Sequence, residues 1–183
     1  MPTGLFFRLK SMKYLALALL SVFFLNGEKF TSISGENLNG LTITLPDSSS
    51  EKLNLVALSY SKKSEGSLKS WFMPLYDKFV LKRGIFDKSY DINTYFIPMF
   101  TGLKKSAYEN TLKKLKESNR KTLFDHIVFY KGDLEPYKSD LSLDEKTIPY
   151  LFLIDPQGTI VHRTQGKFTE GKLEKIEEAI DNY

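Results

Sequence analysis

TIPYLFLIDPQGTIV, Thr147 to Val161, is the stretch whose reading decides the fold. Tyr150 to Asp155 (YLFLID) and Thr159 to Thr164 (TIVHRT) are β-prone runs. The turn Pro156-Gln157-Gly158 joins them, so the pair reads as an antiparallel hairpin. Pro149 opens the first run, and Gly166 breaks the pattern after the second. Beyond it, Thr169 to Asn182 places Leu173, Ile176 and Ile180 on one side of a terminal helix, with Thr169 as its N-cap.

Upstream, Leu53 to Tyr60 (LNLVALSY) is almost continuously apolar and of strand length, as expected of a central strand covered on both faces. Ser67 to Lys82 carries Leu68, Phe72, Leu75, Tyr76 and Phe79 at spacings of three and four, which predicts a helix kinked at Pro74. Tyr90 to Met99 reads as a strand closed by Pro98. Leu103 to Ser118 reads as a Lys-rich helix with Leu103, Ala107, Leu112 and Leu115 inward, and its lysines as a solvated face. His126 to Tyr130 is a strand, followed by a loop holding Gly132, Pro136 and Tyr137. In front of all these, Phe30 to Ser34 and Leu41 to Leu45 form a hairpin around Gly35, Asn37, Asn39 and Gly40. The order is hairpin, β, α, β, α, β, β, α: an α/β fold whose central mixed sheet is flanked by helices.

The chain has 183 residues and no composition shift that would mark a second globular unit. Its 42% apolar and 26% charged residues, with 14 Phe and 10 Tyr, are those of a domain with a full core. Of 26 basic side chains, Arg8, Lys10 and Lys13 precede the first acid, Glu28, and the remaining 23 nearly balance 22 acids. That leaves no basic face for nucleic acid. Tyr14 to Leu25 is an apolar run preceded by positive charge and followed by Asn26, Gly27 and Glu28, the layout of an export signal. Met12 makes a compact start for such a signal. The run is shorter than the roughly twenty residues of a comfortable membrane span. Residues 1–27 are therefore read as a signal peptide or membrane anchor and residues 28–183 as the domain. An exported chain, periplasmic or membrane-anchored, is expected, with membrane association through the N-terminal segment. A buried N-terminal helix and a mitochondrial presequence are the alternatives.

The segment Thr147 to Val161 with Gly166 closely resembles the thioredoxin-like pattern, in which the strand-opening proline is cis and an Asp-x-x-Gly turn links the last two strands. The resemblance implies a thioredoxin-like fold with an N-terminal β-hairpin and a cis bond at Pro149. It also implies an active-site helix after LNLVALSY. Counted back from Pro74, the family's two cysteines would fall at Gly66 and Lys69; counted from the strand end, near Lys63 and Gly66. Ser64 and Ser67 lie nearby in Ser-x-x-Ser spacing, which helix capping explains more simply than a lost thiol pair. A second resemblance, to the mitochondrial ATP synthase assembly chaperones, is carried by Ser70-Trp71, Pro74, His126, Tyr130, Leu141 and Tyr150 to Asp155 with Gly166.

The chain contains no cysteine. Thiolate mechanisms, and copper delivery through paired thiols, are thereby excluded, because a serine hydroxyl is not appreciably ionised near neutral pH and forms neither disulfide nor sulfenic acid. His126 and His162 stand apart, without metal-ligand spacing, and no nucleophile elbow or phosphate-binding glycine loop occurs. Asp125, Asp140 and Asp155 read as turn and cap residues. No catalytic residue, metal or cofactor is expected, and the chain is read as a redox-inactive module that binds a peptide or protein partner. Its contacts are Ile148, whose backbone the fold leaves exposed for an extended peptide, with Pro149, Trp71, Ser64, Ser67 and Gly166 lining one groove. For Trp71 the competing reading is core packing. An assembly chaperone for a membrane complex and an enzyme with an unrecognised cysteine-independent site are the alternatives.

Overall fold

In a computed structural model of the chain, residues 27–81, 88–117 and 121–183 are described. The leader lies outside them, as do the last residues of two expected helices, Lys82 and Ser118. Seven strands form one sheet: β1 (Ile33–Asn37), β2 (Thr42–Leu45), β3 (Asn54–Ser59), β4 (Asn93–Thr101), β5 (Val128–Gly132), β6 (Tyr150–Ile154) and β7 (Ile160–Gln165). Their spatial order is β2-β1-β5-β4-β3-β6-β7. The β3–β4 and β4–β5 pairs are parallel, while β3–β6, β6–β7, β1–β2 and β1–β5 are antiparallel. The helices are α1 (Lys62–Leu75), α2 (Tyr108–Lys116), α3 (Glu135–Asp140) and α4 (Glu170–Asp181).

All six residues of β3 are buried, as its unbroken apolar run requires of a strand with both faces covered. Strand alternation then divides the core. Leu55 and Ala57 face Leu68, Trp71 and Leu75 of α1 and Leu173 and Ile176 of α4. Val56 and Leu58 face the opposite way, onto Phe30, Tyr137, Leu141 and Leu143. Phe100 and Phe129 continue the first face beyond α1, where Tyr108 packs on them with Leu112 and Leu115 of α2.

Several expected boundaries shift, each for a local reason. Gly35 belongs to β1 rather than the turn, because a side chain there would lie 2.5 Å from the Phe129 carbonyl oxygen of β5. The turn is instead built by Asn37, whose side-chain oxygen accepts from the Asn39 and Leu41 amides. Helix α1 starts at Lys62, not Ser67, because Ser61 caps it. It runs through Pro74 into one wider turn at Tyr76–Val80. Pro98 lies inside β4, opposite Ser59 as the last position of the β3 register and just before the β5 register begins at Met99. Gly102–Ala107 is a 3₁₀ segment, and its tighter winding turns Leu103 outward, 98% exposed, and leaves Ala107 exposed as well. The expected loop at Pro136 holds α3, which Pro136 opens. Thr169 is the N-cap of α4, but its hydroxyl makes no capping bond.

Candidate functional site

The C-terminal end of β3 and the start of α1 form the point from which the site is built. Ser61 and Ser64 cap the helix reciprocally: Ser61 Oγ accepts from the Ser64 amide at 3.0 Å, and Ser64 Oγ accepts from the Ser61 amide at 3.0 Å. Ser61 Oγ also donates to the Lys146 carbonyl at 2.5 Å, and Ser64 Oγ donates to the Ser61 carbonyl at 3.0 Å. Both hydroxyls are therefore engaged in shaping the chain, and Ser64 is fully buried. The Ser-x-x-Ser unit at the helix start is Ser61 with Ser64. Ser67 lies inside the helix, where its carbonyl accepts from Ser70 Oγ. The sequence spacing pairs Ser64 with Ser67, whereas the helix cap pairs it with Ser61.

The loop before β6 is braced against this helix start. Tyr150 Oη accepts from the Glu145 amide at 2.6 Å, and Glu145 Oε1 accepts from the Thr147 amide at 2.8 Å. Its hydrogen bonds with Thr147 hold the Glu145 carboxyl below the usual carboxylate range. Tyr60 donates to the Leu143 carbonyl at 2.8 Å, and burial, reinforced by Tyr150 and nearby acids, pushes its phenol up to about 12.

Pro149 follows, buried, and the Ile148–Pro149 bond is trans; among the described residues the cis bond is Leu45–Pro46. This corrects the cis geometry implied by the resemblance. Trans is the lower-energy X-Pro isomer, and here the Pro149 carbonyl reaches the Gly166 amide at 2.9 Å without a cis bond. Ile148 is half-buried against the core, and the registers of β6 with β3 and β7 both begin beyond it, at Tyr150.

Trp71 is fully buried. Its Nε1–H donates to the Gly166 carbonyl at 2.7 Å, and its ring meets Phe168 edge-on at 5.3 Å. The structure thus joins Trp71, Gly166 and Pro149 in one chain of contacts, while Ser64 connects to the loop before Pro149 only through Ser61, which reaches the Lys146 carbonyl. It offers no Trp71 surface for a groove wall, because core packing claims the whole ring. Asp155, Asp125 and Asp140 accept from the Thr159 amide, Asn39 Nδ2 and Thr31 Oγ1 respectively, consistent with turn and bracing roles. Among the described residues no group of three His, Cys, Asp or Glu side chains is placed to hold a metal ion.

One surface was not visible in the sequence. A groove of about 1030 Å³ lies between α1 and the 3₁₀–α2 segment, floored by Phe96, Pro98, Phe100 and Phe129. It adjoins a second cavity of about 670 Å³ that shares Lys69, Phe72, Leu115 and Ile127 with it. The available signals were the aromatic spacing of Phe72 and Tyr76 and the lysines around them, but only the fold brings β4 and β5 underneath.

No protein-family profile matches the chain, and no curated protein does. Solved structures do. The C-terminal domain of a Bacteroides thetaiotaomicron protein assigned as a thiol-disulfide oxidoreductase superposes with a TM-score of 0.53 at 19% identity, covering 86% of this chain and 97% of its own. The exposed lipoprotein thioredoxin Etrx1 of Streptococcus pneumoniae gives 0.51 at 14% identity, with coverage of 81% and 99%. BsSco, a member of the Sco family of cytochrome c oxidase assembly proteins, gives 0.52 at 10% identity, with coverage of 85% and 95%. Nothing in these comparisons supports the resemblance to ATP synthase assembly chaperones. The chain has the thioredoxin-like α/β fold and carries no cysteine with which to perform thiol chemistry.

Proposed function

We propose that this chain is a redox-inactive thioredoxin-like module that binds a peptide or protein partner outside the cytoplasm. The observation that carries the reading is a chain without cysteine in a fold whose neighbours include thiol-disulfide oxidoreductases. The hydroxyls nearest the expected thiol positions are committed to capping and to backbone carbonyls. What such a fold retains is its surface. Ile148, just outside the β6 ladders and between Pro149 and the braced Glu145–Thr147 loop, offers backbone for strand-like pairing. The charged and apolar leader, and the surface exposure of the pneumococcal neighbour, favour a location beyond the cytoplasm.

The purified domain is expected to reduce no insulin disulfide and to consume no peroxide; turnover above the protein-free rate at stoichiometric concentration overturns the reading. Cross-linking in cells through a photoreactive side chain at position 148 then identifies the partner, and Pro149→Ala is expected to weaken its binding while circular dichroism shows the fold intact. A second reading, assembly of a membrane complex, is favoured by the likeness to BsSco and predicts co-purification with membrane subunits.

A further inference from the structure

The groove beside α1 carries a feature that the Ile148 surface lacks: a long apolar floor between basic rims. Lining residues Lys62, Glu65, Lys69, Phe72 and Tyr76 follow one another at three- and four-residue spacing, so the two adjoining cavities run along the whole of α1. That helix has 14 residues and is about 21 Å long at 1.5 Å per residue. The aromatic floor is itself core, with Phe96, Phe100 and Phe129 buried, and the accessible apolar surface comes from the walls. Leu103, 98% exposed, lines one of the two cavities and Met73, 56% exposed, lines the other. Lys62 and Lys69 on the α1 side and Lys114 on the α2 side have no anionic partner among the described residues. The groove's Glu65 is already paired with Lys104, which lies over the Phe100 ring. At the head of the groove the Ser59 hydroxyl is wholly buried and makes no hydrogen bond.

We infer that this groove docks an acidic amphipathic helix of a partner protein. Its apolar face covers the accessible apolar side chains of the lining, Phe72, Met73, Leu103 and Ala107, and its carboxylates meet Lys62, Lys69 and Lys114. Cations spread along both rims match anionic groups spread along a ligand. A fatty acid, with one carboxylate at one end, leaves two of the three lysines unpaired. The exposed Met73 suits such a surface, since its flexible thioether adapts to different apolar partners.

The inference rests on the reading of the chain as a binding module but uses a different surface from Ile148. The probe is a synthetic 16-residue peptide with Leu and Phe on one helical face and Glu on the other. Its control replaces every Glu with Lys. Titrated into the whole domain and followed by fluorescence anisotropy, the acidic peptide is expected to bind saturably, to weaken as salt rises, and to perturb the amide resonances of Phe100 and Leu103. The lysine peptide is expected not to bind. Lys62→Glu/Lys69→Glu/Lys114→Glu, three surface changes whose fold is checked by circular dichroism, is expected to weaken binding by about tenfold or more. Leu103→Glu is expected to weaken it as well, while Pro149→Ala leaves it unchanged. Equal binding of both peptides, no saturable binding, unaltered affinity in the triple variant, oleate binding at the same resonances in place of the peptide, or concentration-dependent dimerisation through the groove each overturns the inference. Cross-linking at position 148 that survives such a result leaves the wider binding reading standing.

Discussion

Trp71 unites both structural roles a tryptophan can serve, a buried ring and a satisfied N–H. Trp71→Ala removes the packing against α4 and the Phe168 contact and leaves the Gly166 carbonyl without its indole partner. A loss of about 3–5 kcal/mol is expected from its denaturant midpoint. The effect on any partner is then indirect, so Pro149→Ala is the cleaner probe of the Ile148 surface. Ser61→Ala removes the capping oxygen and is expected to cost about 1 kcal/mol in the same assay, with no change in redox activity. Gly158 has φ +79°, and a side chain there would lie 2.6 Å from Pro46 Cγ. Gly158 was legible as a turn residue; its contact with Pro46, more than a hundred positions earlier, was not, because nothing local encodes it.

At the scale of elements, among the described residues the hairpin β1–β2 joins the rest of the sheet through β1, in a short antiparallel register with β5 at Glu36↔Phe129 and Asn37↔Val128. Gly35→Ala drives a methyl group into that junction. It is expected to speed amide hydrogen exchange in β1 and β2 while β3, β4 and β6 stay protected. The strands and helices of the fold were legible wherever periodicity was strong: LNLVALSY as the buried strand, YLFLID and TIVHRT as the hairpin, Leu173 and Ile176 as the inner face of α4. Legibility failed where a single residue overrides the pattern. Ser61 starts α1 a turn and a half early, the 3₁₀ winding at Gly102–Ala107 turns Leu103 out of the core, and Pro136 opens a helix inside a segment rich in turn residues. The groove was the least legible feature, since its walls come from elements far apart in sequence and its floor from strands whose outward residues look like ordinary core.

For the whole molecule, acid response has an identifiable origin. Burial, and after it the Lys175 charge, hold the His162 imidazole below its ordinary value of 6.5, and its Nε2 makes no hydrogen bond. The unfolded chain therefore takes up the proton first. Stability is full above about pH 6.5 and falls as pH drops toward the lower folded value. His162→Phe is expected to flatten this part of a midpoint-against-pH curve. Glu145, whose folded value is depressed below 4.5, is expected to cause a separate loss at lower pH, because its stabilisation is present above the unfolded value and disappears on protonation. A further consequence follows from the chain's single Trp, which is dry, hydrogen-bonded to Gly166, and absent from the groove lining. The protein carries a built-in optical reporter that sees one candidate surface and not the other. Its emission is expected to lie toward the blue and to resist acrylamide in the native state. An occupant beside Gly166 and Pro149 will shift that emission, whereas an occupant lying along Lys62, Lys69 and Phe72 will leave it dark to the event.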